Sequence, residues 1–213
     1  MTYQLYGDIG SGSAIVEMAL AELGQEPELH DVPLKENAQR AGDYAALNPQ
    51  RKLPCLVTPD GETLTESAAI LLTLDERFPE AGLLPAAQKS RAQARRWLIF
   101  MAAELYPVIE IVDYPERFQP EEGGTSEARR EGLKRHASTI WKRRLSVVEH
   151  AIAGKKWFLE SGFSALDIYA SVLSRWTADR TWQKDNLPRI ESIAQRLSQR
   201  EKLDVVWRRH FGN

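Results

Sequence analysis

In residues 48–70, NPQRKLPCLVTPDGETLTESAAI, two short strand-like runs close on a turn and lead into a helix. A residue before proline avoids the α region, so Leu53 enters Pro54 extended. Cys55 to Thr58 and Glu62 to Thr65 flank Pro59-Asp60-Gly61, a glycine-containing tight turn that implies an antiparallel hairpin. Thr65-Glu66-Ser67 then opens a helix running to Arg77, with Ala69, Ile70, Leu72 and Thr73 expected on its inner side.

Upstream, Tyr3 to Tyr6 reads as a strand and Gly7 to Gly12 as a turn. Ser13 to Leu23 carries a helical stripe of Ile15, Met18 and Ala19, with Glu22 outside it and Gly24 ending it. Glu28 to Val32 is a second strand and Glu36 to Leu47 a second helix. The order β-α-β-α-β-β-α is a thioredoxin-like α/β arrangement, placed at residues 1–78. Pro79, Gly82 and Pro85 punctuate a linker at 79–88, and an all-helical unit is expected over 89–213. Its predicted helices run from Ser90 to Val112, Glu127 to Ala153, Ala165 to Ala178, Pro188 to Gln199 and Leu203 to Arg209, with Pro115 to Thr125 as a loop. Pro107 should kink the first of these one turn earlier. Ser164 and Asp167 form a capping box, with Phe163 and Ile168 as its hydrophobic staple.

A chain with 43% hydrophobic and 27% charged residues is globular in composition. The longest apolar run, Trp97 to Ala103, is far short of the roughly 18 residues a spanning helix needs, so no membrane partner is expected. The opening MTYQLYGDIG has neither a basic nor an apolar leader segment, which points to the cytoplasm. With a net charge of -2, and acidic residues interspersed among the basic ones of the 127–153 helix, no nucleic acid is expected either. Cys55 is the only cysteine, which excludes an internal disulfide, and its place in an apolar strand marks it as a core thiol. The four histidines are too scattered for metal spacing.

The N-P-x-x-x-[LV]-P element at 48–54 and the T-E-S-x-A-I element at 65–70 together resemble the glutathione site of cytosolic glutathione transferases, bacterial and serine-type. The resemblance implies a thioredoxin-like domain followed by an all-helical domain, a homodimer, and glutathione as co-substrate with no other cofactor. The partner of glutathione would be a small hydrophobic electrophile. It also implies a cis Pro54 that turns the backbone of Leu53 toward the cysteinyl part of glutathione. Glu66 would meet the γ-glutamyl ammonium, and Ser67 with the helix N-terminus its carboxylate. Lys52 and Lys35 would meet the glycyl carboxylate, and Glu104 would reach across the dimer. The dimer contact is expected on the helix carrying Arg91, Arg95 and Trp97.

The residue that activates the thiol lies, in serine-type members, just after the first strand, where Ser11 stands. Ser13, Tyr106 and Tyr6 are the other candidate hydroxyls; an ordinary helix cap is the alternative role for Ser11. A free thiol is only about 3% ionised at pH 7, and a shift of about two units, roughly 2.7 kcal/mol, makes it mostly thiolate. One hydrogen bond to a charged acceptor supplies about 1.5–3 kcal/mol, so a single hydroxyl suffices. Two other functions share the fold: glutathione-dependent cis-trans isomerisation of the maleylacetoacetate type, and a non-catalytic binding or regulatory role.

Overall fold

The computed structural model describes residues 2–119 and 126–212. Four strands, β1 (Gln4–Gly7), β2 (Glu28–Asp31), β3 (Cys55–Val57) and β4 (Thr63–Thr65), form one mixed sheet in the order β2-β1-β3-β4. β1 runs parallel to β2 and antiparallel to β3, and β3 pairs antiparallel with β4 through the turn at Gly61, whose φ is +86°. Parallel pairing of β1 with β2 needs a crossover, and α1 (Ser13–Glu22) provides it. α2 (Gly42–Leu47) contributes Tyr44 to a small cluster with Val32 and Cys55. α3 (Ser67–Arg77) packs beside α1.

The second half is helical: α4 (Gln88–Phe100), α5 (Tyr106–Asp113), α6 (Glu127–Ala151), α7 (Ala165–Arg175), α8 (Arg180–Asn186), α9 (Pro188–Ser198) and α10 (Asp204–Phe211). A π-helical turn, Met101–Leu105, joins α4 to α5 immediately before Pro107. Proline has no N–H for the preceding turn, so the helix widens where the kink was expected. Among the described residues, no helix is long and apolar enough to cross a membrane.

Several expectations are corrected by packing. The predicted helix at 36–47 is broken: Leu34–Glu36 and Ala38–Arg40 are 3₁₀ turns on either side of Asn37 at φ +55°, and only the last six residues are α-helical. α8 escapes sequence reading because it is short and polar; its start is capped by the Asp179 side chain, which accepts the Trp182 N–H at 3.0 Å. The inner face of α3 is Ala68, Ile70, Leu71 and Leu74, whereas Ala69 is exposed. Glu22, expected outside, is 8% exposed and takes both Nε and Nη2 of Arg200, at 2.7 and 2.6 Å. The cause is that α1 is covered twice, by the sheet and α3 on one side and by α7 and α10 on the other. The helix is therefore buried from Ser13 to Leu20.

The stretch at 79–88 is anchored at its middle. Leu83 and Leu84 are buried, Asp75 accepts the Leu84 N–H at 2.9 Å, and Leu83 C=O accepts the Ala165 N–H at 2.8 Å. Arg91 and Trp97, expected at a dimer contact, are used within the chain: Arg91 pairs with Asp75, and Trp97 packs on Phe100 and Phe158. The loop expected at 115–125 begins as a 3₁₀ turn at Pro115–Phe118; its residues 120–125 lie outside the described residues. Cys55 is fully buried, and burial pushes its thiol up to about 11, as befits an inert core residue.

Candidate active site

Three hydroxyls meet where the N-terminus of α3 faces the second half. Ser67, the first residue of α3, is 4% exposed, and its Oγ lies 2.9 Å from Tyr169 Oη and donates to Tyr106 Oη at 3.3 Å. A serine has one hydrogen. With that hydrogen on Tyr106, Tyr169 is the donor to Ser67, and the Tyr106 hydrogen is left free. Burial raises the pKa of both tyrosines, so Tyr106 stays protonated and acts as a donor. The Tyr106 ring is held edge-on by Trp176 at 5.1 Å and Tyr169 at 6.1 Å.

The β1–α1 turn approaches this cluster at Gly12. A Cβ built there would lie 2.6 Å from Tyr106 Oη, 3.4 Å from Pro54 Cδ and 3.5 Å from the Leu53 carbonyl oxygen. Gly12 has an ordinary helical φ of -61°, so glycine is required here for room and not for backbone freedom. Gly12→Ala is expected to lower stability by about 1–3 kcal/mol, because Tyr106 is wedged by its aromatic neighbours. In a Tyr106→Phe background, which removes the obstructing oxygen, the same alanine should cost clearly less. Urea unfolding of the four proteins in this double-mutant cycle gives the answer, and equal costs in both backgrounds would refute the contact.

Ser11 is half-buried on the same turn. Its Oγ accepts the N–H groups of Asp8 at 3.3 Å and Ser13 at 3.2 Å, and lies 2.9 Å from Ser13 Oγ. Ser13 is 2% exposed and donates its hydrogen to the Asp8 carbonyl at 3.2 Å, so Ser11 is the donor to Ser13. Gly12 holds the cap position of α1, and Ser11 Oγ still takes the N–H of Ser13, the first residue of the helix. Tyr6 lies elsewhere, stacked on His30 with ring centres 4.5 Å apart.

Around this point the Leu53–Pro54 peptide is cis. Glu66 precedes α3 as its cap residue, exposed, with φ +63° and ψ 103°, a conformation a non-glycine residue adopts only when its surroundings enforce it. The structure thus brings Leu53, Pro54, Ser67 and Tyr106 to one place with Gly12 between them, and sets Glu66 at its edge beside Ser67. Other predicted site residues are turned to different tasks. Lys52 Nζ pairs with Glu110 of α5 at 2.8 Å. Glu104 pairs within the chain with Arg144 of α6 at 2.7 Å, which occupies the carboxylate expected to reach a partner subunit. Lys35 is exposed on its 3₁₀ turn. A separate groove of about 930 Å³, between α8, α9 and α10, contains none of the clustered hydroxyls.

Residues 13–77 match the family model for the glutathione S-transferase N-terminal domain. Glutathione S-transferase 3 of Zea mays is 30% identical over 180 residues, covering 83% of this chain and 79% of the maize protein. The chain belongs to the glutathione S-transferase family. Glutathione S-transferase GstA of Escherichia coli O157:H7 is 28% identical over 205 residues, 94% of each chain. Among solved structures, a glutathione transferase homolog from Sulfitobacter with bound glutathione shares the fold at a TM-score of 0.86, with 23% identity and 96% of each chain covered.

Within this transferase family member, sequence reading missed Gly12, Tyr169, Trp176 and His210. A glycine between two serines reads as turn chemistry, and only its ordinary φ reveals that it serves a close approach. Tyr169 lies in the apolar stripe of α7, where a lone hydroxyl has no sequence signature. Trp176 and His210 sit near helix ends far along the chain.

Proposed function

We propose that this chain binds glutathione and lowers the pKa of its thiol for attack on a small hydrophobic electrophile. The observation that carries the reading is the convergence of Ser67, Tyr106, Gly12 and Leu53 at the N-terminus of α3. The segments 48–54 and 65–70 that meet there resemble the glutathione site of the family, and a protonated hydroxyl with a free hydrogen faces them. Glu66 receives the γ-glutamyl ammonium, and the first N–H groups of α3 receive its carboxylate at the positive end of the helix. Leu53 offers its backbone to the cysteinyl part. Tyr106 donates to the sulfur and stabilises it as thiolate, with Ser11 as a second donor when its hydrogen leaves Ser13. Ser13 is ranked below both, because it is buried and committed to Asp8. Ile9, 58% exposed beside this turn, and the rings of Tyr106 and Trp176 give the electrophile an apolar wall. Lys52 and Lys35 remain the cations for the glycyl carboxylate, Lys52 by exchanging Glu110 for the ligand. The active form is a cytoplasmic homodimer, whose mass sedimentation would read directly; Glu104 reaches the partner only by leaving Arg144.

Glu66→Ala is the test of binding. It removes the one carboxylate assigned to the ammonium, so calorimetry should show glutathione affinity lower by about 10- to 100-fold, or about 1.5–3 kcal/mol. The exposed side chain carries little of the fold, so the variant should unfold at a near wild-type urea concentration. Unchanged affinity in the folded variant would remove Glu66 from the site, and failure of the wild-type chain to bind glutathione would end the reading.

A further inference from the structure

Gly10 precedes Ser11 in the β1–α1 turn with φ +73°, and two side chains from the far end of the chain take both of its backbone hydrogen-bonding groups. Its N–H donates to His210 Nδ1 at 3.0 Å, and its C=O accepts from Trp176 Nε1 at 2.7 Å. Because Nδ1 accepts, the imidazole proton sits on Nε2, 2.9 Å from Glu17 Oε2, and fixes the ring against α1. Glu17 also pairs with Arg209. The Trp176 indole that holds Gly10 is the same ring that meets Tyr106 edge-on at 5.1 Å, and it stacks on Trp141 at 6.4 Å.

A turn containing Gly10 and Gly12 has little stiffness of its own, since glycine is the residue with the widest backbone freedom. Donors that stabilise a developing charge must nevertheless be held to within roughly 0.5 Å. We propose that His210 and Trp176 are positioning residues: they pin the Gly10 peptide, and with it Ser11, at a fixed separation from Tyr106, and so tune the ionisation of the sulfur between them. The inference rests on the glutathione reading above and adds a role to a C-terminal helix otherwise remote from the hydroxyls.

Three variants separate this role from general support of the fold. His210→Asn keeps an acceptor near the Nδ1 position and loses the reach to Glu17. His210→Gln does the reverse, reaching Glu17 without an acceptor at Gly10. Trp176→Phe keeps a ring against Tyr106 and removes the N–H. The thiol pKa of the glutathione complex is read from its ultraviolet thiolate absorbance, and site integrity from the affinity for S-methyl glutathione, which has no thiol to ionise. His210→Gln and Trp176→Phe should raise the thiol pKa by about half to one unit, which lowers a mostly ionised thiolate fraction at pH 7 by about 1.5- to threefold, with S-methyl glutathione affinity held within about twofold. His210→Asn should keep the wild-type thiol pKa. If both His210 variants shift alike, or neither His210→Gln nor Trp176→Phe shifts, the positioning role is refuted while the glutathione site stands. If wild-type protein does not bind S-methyl glutathione, both readings fall together.

Discussion

Asp167→Ala should lower the unfolding free energy by about 3–5 kcal/mol, well beyond the roughly 1 kcal/mol typical of a helix cap. The difference comes from where the box sits. Asp167 is completely buried; its Oδ2 accepts the Ser164 N–H at 2.8 Å, and its Oδ1 accepts the Phe158 N–H at 2.7 Å. One carboxylate therefore satisfies the start of α7 and the loop that precedes it. Alanine leaves two buried N–H groups without a partner, at about 1–3 kcal/mol each. Asp167→Asn retains one good acceptor and should lose about half as much. Burial also pushes the Asp167 carboxyl up to about 7, against an ordinary 3.8, with its backbone donors pulling the other way. A folded-state pKa above the unfolded one means that the native state holds the extra proton between those values. Stability contributed by Asp167 should thus decline as pH rises through that window, and the gap to Asp167→Asn should narrow. Urea midpoints at several pH values measure this; a loss below about 1 kcal/mol for Asp167→Ala would show that the box is a surface feature in solution. Glutathione affinity, read on the folded fraction, should not change.

Tyr106→Phe should raise the thiol pKa of bound glutathione by about one to two units, because one hydrogen bond to a charged sulfur is worth about 1.5–3 kcal/mol. The thiolate absorbance at pH 7 should fall by about threefold to about 25-fold, turnover should fall with it, and both should recover partly at high pH, where solvent removes the proton. Ser11→Ala should have a smaller effect, since its hydrogen is held by Ser13, and Ser13→Ala smaller still. Binding of an S-alkyl glutathione should survive in all three. Should Ser11→Ala abolish the thiolate signal while Tyr106→Phe leaves it, the thiol belongs to the serine and Tyr106 is a wall of the electrophile pocket. The order of effects thus distinguishes a donor with a free hydrogen from one already occupied in the turn.

The features legible in the sequence are those whose cause lies within a few residues. The hairpin at Pro59-Asp60-Gly61, the capping box at Ser164 and Asp167, and the helix irregularity before Pro107 each follow from backbone groups and side chains one to six positions apart. The segments 48–54 and 65–70 were readable for the same reason, as local arrangements that resemble those of one family. What tertiary structure decided are pairings across 102, 166 and 200 residues: Ser67 with Tyr169, Trp176 with Gly10, and Gly10 with His210. Glu22 was expected outside the apolar stripe of α1, yet it is buried against Arg200, and Glu17 is buried against Arg209 and His210. No period in α1 encodes its second cover, because the neutralising groups arrive from the end of the chain. The sequence by itself therefore determined the two-part architecture and marked 48–54 and 65–70 as segments resembling a glutathione site. Which hydroxyl keeps a free hydrogen was decided only by packing, because a hydroxyl carries one hydrogen and its direction depends on neighbours brought together by the fold.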